Sequence, residues 1–278
     1  MDRFISKLLF FAACSSIAIL ALIALFIFKE GVPIMMKSGL GHFLFGREWA
    51  PLDGQFGILT FIVGSLWITA GSLVLGVPLG IACAAFIAIF VPRRAGMVLK
   101  PAIELLAGIP SVVYGFLGVM WLAPIIRDRF GGPGLSILAA SCVLAIMILP
   151  TIVSVSIDAI NAVPKSYREG SLALGATEWQ TAWRVTLPAA RSGILAGVIL
   201  GMGRAVGETM AVIMISGNAT QIPHSIFDSV RTLTANIAIE MGYAVGEHRE
   251  ALFATGVVLF FFIMMLNVVA LRVSRRKF

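Results

Sequence analysis

The sequence predicts an all-α fold: a polytopic bundle of six transmembrane helices forming one domain over residues 1–278. The first observation is composition. Of 278 residues, 59% are hydrophobic and only 13% charged, against roughly half apolar and about a quarter charged in soluble domains. The second is run length. Apolar stretches cover residues 8–28, 58–90, 101–126, 135–157, 192–216 and 251–271, and a helix needs about 20 apolar residues to cross hydrocarbon. Barrel strands would be about half as long and would alternate in polarity. The third is the distribution of Lys and Arg, which sets both the number of spans and their direction.

Met1–Lys7 followed by the apolar run to residue 28 has the outline of a signal peptide. The run is too long and lacks a small-residue cleavage site, so an uncleaved first span is expected. The second run is 33 residues long, near 50 Å as one helix, and Gly76-Val77-Pro78-Leu79-Gly80 offers either a hairpin or a kink. Charge decides between them. With six spans and an inner N-terminus, thirteen basic residues fall inside: Arg3, Lys7, Arg93, Arg94, Lys100, Lys165, Arg168, Arg184, Arg191, Arg272, Arg275, Arg276 and Lys277. Seven fall outside: Lys29, Lys37, Arg47, Arg127, Arg129, Arg231 and Arg249. Splitting the second run reverses the later loops and puts most of the charge outside, against the positive-inside tendency. One long second helix kinked near Pro78 is expected, with both termini cytoplasmic.

Two outer segments are long. Residues 29–57 place Ile34-Met35-Met36 and Phe43-Leu44-Phe45 between Lys37, Arg47 and Trp49, a pattern suited to a short interfacial helix. Residues 217–250 are polar with scattered apolar residues and are expected to fold over the outer mouth. The net charge of +7 lies scattered through short loops, as an orientation signal does; a nucleic-acid face would be clustered. Cys14, Cys83 and Cys142 sit in apolar runs as small hydrophobes. His42, His224 and His248 join no acidic or Cys cluster with metal or triad spacing, which argues against an enzyme. No Gly-rich Lys-Ser/Thr loop is present, so ATP hydrolysis is not expected in this chain.

Only one inner loop is large enough for a task, residues 158–191. Val163-Pro164-Lys165-Ser166 opens a helix, with Ser166 as N-cap and Glu169 at capping-box spacing. Gly175 permits a turn. Thr177 is a second N-cap ahead of Trp179, Trp183 and Val185, and Pro188 is expected to end the unit. Two short helices around a glycine elbow, rich in exposed large apolar residues, call for a partner. Glu169-Gly170-Ser171, Gly175 and Val185-Thr186-Leu187-Pro188 resemble the E-A-A-x3-G-x9-I-x-L-P signature of ABC-importer permeases. That resemblance implies a type I ABC-importer fold in a bacterial inner membrane, with this loop docking on a separate ATPase subunit. It marks Glu169, Gly175, Thr177, Trp179, Leu187 and Pro188 as coupling residues. Gly170-Ser171 stands where the signature has Ala-Ala, and Val185 where it has Ile.

The resemblance narrows to the phosphate-specific permeases. Trp49-Ala50-Pro51 with Phe56-Gly57-Ile58-Leu59, the stretch E-L-L-A-G-I-P-S-V-V-Y-G at 104–115, and G-R-A-V-G-E-T-M-A-V at 203–212 followed by Ser216-Gly217-Asn218 are similar to the PstC type. The PstA type carries Ala-Pro after Gly-Glu, where this chain has Thr209-Met210-Ala211. The implied partners are a PstA-like second permease, two PstB-like ATPase subunits using ATP and Mg, and a PstS-like binding protein. The chain itself would bind no cofactor. A sulfate or molybdate permease, and a stand-alone channel or carrier, are the competing readings.

Arg204 and Glu208 are the only charges between Arg191 and Asp228. Spacing i, i+4 places both on one helix face, and Gly193, Gly197 and Gly201 allow a neighbouring helix to come close. A charge at mid-bilayer costs at least about 2.5 kcal/mol. Two readings stand: a structural ion pair, or a pair that screens a passing oxyanion. In the second, guanidinium offers a donor fork to phosphate oxygens and Glu208 accepts a proton that phosphate carries and sulfate lacks. Thr209, Ser111 and Tyr114 complete the expected substrate path. Gly108-Ile109-Pro110 should break or kink the third span, either for packing or to bare backbone groups along a path. Glu104 near the start of that span suits either a helix-end role or substrate contact.

Overall fold

The computed structural model describes residues 2–275. Six helical stretches among them are long and apolar enough to cross a membrane: Ile5–Ser38, Leu59–Phe90, Ser111–Phe130, Ile137–Asn161, Glu178–Gly207 and Glu247–Arg272. The chain is a multi-pass, all-α membrane protein. Arg276 and Lys277, counted above as inner charges, lie outside the described residues. Two compact units form, one from residues up to Leu59 with Asn236–Phe262, the other from Thr60–Ala235 with residues from Ile263 on.

In the first unit, α1 (Asp2–Ser38) absorbs residues 29–38, which the sequence assigns to an outer loop. The expected interfacial helix shrinks to α2 (Leu40–Phe45). The reason lies in burial: Ile34 and Phe43 are 1% and 0% exposed, so both hydrophobic triplets contribute to the protein core. A two-residue hairpin follows, β1 (Trp49–Ala50) antiparallel to β2 (Gln55–Phe56), with Trp49 opposite Phe56. Gly31 approaches the backbone of Ala254 so closely that a Cβ would lie 2.6 Å from its nitrogen.

The second unit is organised around one helix. α3 (Leu59–Ala85) continues through Pro78 without a break and passes into a π-turn at Phe86–Phe90, so the second run is one span, as the charge argument requires. α4 (Arg93–Ala107) and α5 (Ser111–Leu117) are separated at Gly108–Pro110. A π-turn, Gly118–Leu122, joins α5 to α6 (Ala123–Phe130). The third span is therefore Ser111–Phe130, and residues 101–107 belong to a preceding helix; this corrects the range 101–126. Pro110 is the cause, because it cannot donate to a continuing helix and holds its predecessor extended.

The central element is α7 (Ile137–Asn161). Its Ile148 and Ile152 are fully buried. Gly76 and Gly80 of α3 close on these two side chains, and Gly197 and Gly201 of a later helix close on Val155 and Ile152. Small residues on both flanking helices let their backbones approach, which is how helices gain contact in lipid. The N-terminus of α7 needs partners for its orphan N–H groups. Ser136 accepts from Ala139 N at 3.3 Å, and the carbonyls of Asp228 and Ile226 accept from Ile137 and Leu138 at 3.0 and 2.8 Å. Residues of the long outer segment thus cap this helix.

Candidate substrate path and coupling surface

After α7 come α8 (Lys165–Ala173), α9 (Glu178–Thr181), a π-turn at Ala182–Thr186, α10 (Leu187–Gly207), α11 (Met210–Ile215), α12 (Leu233–Glu240) and α13 (Glu247–Arg275). Residues 178–207 form one continuous helical stretch. Pro188 therefore does not end the loop unit. The π-turn explains its tolerance: Leu187 N–H bonds back to Ala182, and the wider turn just ahead of Pro188 makes room for a ring that carries no N–H.

The fifth span stops at Gly207, which corrects the expected range 192–216. Glu208 is extended at φ −69°, ψ 130°. Arg204 sits in the last turn of α10, where a cation complements the carbonyl end of the helix. Glu208 lies beyond the helix, so the helical-face argument for the two charges fails. Among the described residues no ion pair joins them. Instead a Glu208 carboxylate oxygen accepts from Ala211 N at 3.2 Å, and its backbone carbonyl accepts from the Thr234 hydroxyl at 3.1 Å. The Thr209 hydroxyl donates to Gly207 O at 3.2 Å. Arg204, Glu208 and Thr209 are all half-buried.

The two helix breaks come together. Gly115 of α5 lies against α11, where a Cβ would be 3.0 Å from Ala211 Cα. Tyr114, on the same turn, is buried and donates its hydroxyl to Leu106 O at 2.8 Å, strapping the break at Gly108–Pro110. Ser111 lies one turn earlier, half-buried, and among the described residues makes no hydrogen bond to Arg204 or Glu208. Glu104 is exposed and accepts from Ser154 Oγ at 2.8 Å, a helix-to-helix contact. The arrangement brings a guanidinium, a carboxylate, a phenol and interrupted backbone to one region.

Three participants escape the sequence. Thr234 holds Glu208 from a distant segment. Asn218 adopts φ +55° and donates its side-chain amide to Ile213 O at 2.7 Å, while Arg231 Nε donates to Asn218 O at 3.2 Å. An Asn directly after Gly217 is a turn signal, but nothing local pairs it with Arg231.

The segment 158–191 also takes shape. Thr177 caps α9 in a full capping box, accepting from Gln180 N at 3.2 Å while Gln180 Oε1 accepts from Thr177 N at 2.9 Å. Ser166 is not a cap; Pro164 takes that position in α8, its fixed φ favouring helix entry. Gly175 has φ +86°. Arg168 bridges α8 to α9 through Glu178, with Nη2 2.8 Å and Nε 3.2 Å from one carboxylate oxygen. Ser171 and Thr181 hydroxyls meet at 2.9 Å. The folded arm leaves Leu174 at 91% and Trp179 at 61% exposed, with Trp183 against Trp179 at 5.6 Å between ring centroids. Glu169 is exposed, Leu187 is buried, and Pro188 is exposed.

A protein-family model described as the binding-protein-dependent transport system inner membrane component matches residues 76–278. The chain belongs to that family. Among similar proteins, the probable ABC transporter permease protein YqgH of Bacillus subtilis is 44% identical, over 95% of this chain and 89% of its own length. The phosphate transport system permease protein PstC of Mesorhizobium japonicum is 36% identical, over 94% of this permease and 88% of the relative. A bacterial ABC transporter involved in import of the acidic polysaccharide alginate shares the fold, with a TM-score of 0.64 at 16% identity and 96% coverage of each chain. This permease thus has the ABC-importer membrane fold expected from the signature in residues 158–191.

Proposed function

We propose that the chain is a PstC-like permease subunit of an ATP-driven importer carrying inorganic phosphate into the cytoplasm. One observation carries the reading: α10 breaks off just after a half-buried Arg204, with Glu208 held in extended backbone and the following α11 packed on Gly115 of α5. Discontinuous helices put polar groups at membrane depth where a solute passes, and a guanidinium fork suits phosphate. The kinship with PstC permeases agrees in substrate. The subunit works with a PstA-like permease, two PstB-like ATPases that use ATP and Mg, and a PstS-like binding protein. Its termini and its coupling loop face the cytoplasm.

The deciding experiment is uptake of labelled phosphate, sulfate and molybdate into vesicles containing the complete complex. ATP-dependent phosphate entry is expected, with the other two oxyanions excluded. Entry without ATP, or preferential entry of sulfate, refutes the reading. Orientation is checked separately. Leu174→Cys, in a background lacking Cys14, Cys83 and Cys142, should react with an impermeant thiol reagent only from the cytoplasmic side. Leu174 is the better probe than Ser171, whose hydroxyl is engaged by Thr181. Labelling from outside would reverse the topology.

A further inference from the structure

A cleft of about 740 Å³ opens in the second unit between the π-turn after α3, helix α4 and the junction of α7 with α8. Its lining combines two chemistries. Part is apolar, with Ile87 and Ile157 buried and Met97 63% exposed. Lys100, Lys165 and Arg168 line it too, with Asn161, and among the described residues no acidic side chain does. Lys100 is engaged by Asp158 and lies 4.0 Å from Glu104, and Arg168 is engaged by Glu178. Lys165 has no ion pair among the described residues. Lysine has three donors and arginine five, so engagement by one carboxylate leaves N–H groups on Lys100 and Arg168 for a further acceptor.

The setting narrows the occupant. The cleft lies where apolar spans end and basic residues begin, which is the membrane interface. Basic pockets between spans at that level receive anionic headgroups. A lining that joins apolar and cationic side chains matches a molecule with both characters. Gly96 leaves the wall open, since a Cβ there would meet only the Ile87 carbonyl, at 4.0 Å. The π-turn contributes Ile87, Ala88 and Ile89, and such turns often mark sites of function.

We infer that this cleft binds one anionic phospholipid, its phosphate at Lys165, Lys100 and Arg168 and its acyl chain along Ile87 and Met97. The site is separate from the Arg204 region and does not depend on which solute the permease carries. Inorganic phosphate shares the headgroup's chemistry but has nothing to place on the apolar wall.

The test uses the intact complex purified from vesicles of phosphatidylcholine and phosphatidylglycerol, with bound lipid counted by native mass spectrometry. Wild type should retain one phosphatidylglycerol per copy of this chain, preferred over phosphatidylcholine by at least about tenfold. Lys165→Glu should cut retention by about fivefold or more, and Gly96→Trp, which fills the cleft without altering charge, should do the same. Lys165→Arg should retain the lipid, reporting that α8 tolerates substitution. Millimolar inorganic phosphate should leave the lipid in place. Retention unchanged in both Lys165→Glu and Gly96→Trp overturns the site. Displacement of the lipid by inorganic phosphate overturns the lipid assignment and makes the cleft a soluble-anion site.

Discussion

Glu208→Gln is expected to leave the complex assembled while phosphate loses its advantage over sulfate by about tenfold or more, equivalent to at least ~1.4 kcal/mol of discrimination. Gln keeps the side-chain oxygen that accepts from Ala211 N and removes only the negative charge. A fully deprotonated oxyanion then approaches Arg204 without repulsion. Arg204→Lys keeps the charge but loses the planar fork, and should slow phosphate uptake while sparing assembly. If the two residues act only as mutual counter-charges, each single change strands a buried charge at a cost of about 3–5 kcal/mol, and complex yield should collapse. Arg204→Met with Glu208→Met would then restore it. Phosphate and sulfate uptake are to be measured beside complex yield for both singles and the double. Restored phosphate transport in the double sinks the screening idea, because a path that works without either charge is not reading its substrate with them. The separate hydrogen-bond partners of Glu208 favour screening over pairing.

Gly175→Val should abolish association with the ATPase while leaving the chain inserted and the permease subunits paired. The φ of +86° at this position is open to glycine, and an ordinary L-residue there loses roughly 1–2 kcal/mol, with β-branched residues worst. No atom lies within 4 Å of a Cβ built on Gly175. The penalty is thus conformational, not steric, and this makes a graded series informative. Gly175→Asn should retain most ATPase on co-purification, Gly175→Ala an intermediate amount, and Gly175→Val less than about a tenth of wild type. The elbow sets how α8 and α9 fold together through Arg168 and Glu178, so its loss spreads to the exposed Trp179 and Leu174. Normal co-purification and transport by the Val variant would show that the arm is not the coupling element.

Helix count was legible in the sequence because length and charge act over whole segments. The unbroken passage through Pro78 followed from loop charge alone. The break at Gly108–Pro110 was legible because proline removes a donor locally. The break at Glu208 was not. Gly207-Glu208-Thr209-Met210 contains no proline, and the chain leaves the helix where the Thr234 hydroxyl takes the Glu208 carbonyl. That partner lies 26 residues away, beyond the reach of a local pattern. Pro188 misled for the opposite reason. Its signal is local and strong, but a one-residue change of helical register just before it removes the conflict. Ser166 lost the cap to Pro164 because the bend comes two residues sooner than side-chain chemistry indicates.

The π-turns at Phe86–Phe90, Gly118–Leu122 and Ala182–Thr186 bear on how the gene can change length. A π-turn holds one residue more than an α-turn needs. Deleting that residue would let the helix close up as a plain α-turn, and the face presented downstream would hold, because the wider turn already absorbs the extra residue. Two of the three turns nevertheless cannot spare it. Pro124 and Pro188 follow Gly118–Leu122 and Ala182–Thr186 two residues on, and a deletion would draw each into an uninterrupted α-helix, where proline costs about 3 kcal/mol or more. The residue that looks like slack is what lets these helices carry a proline.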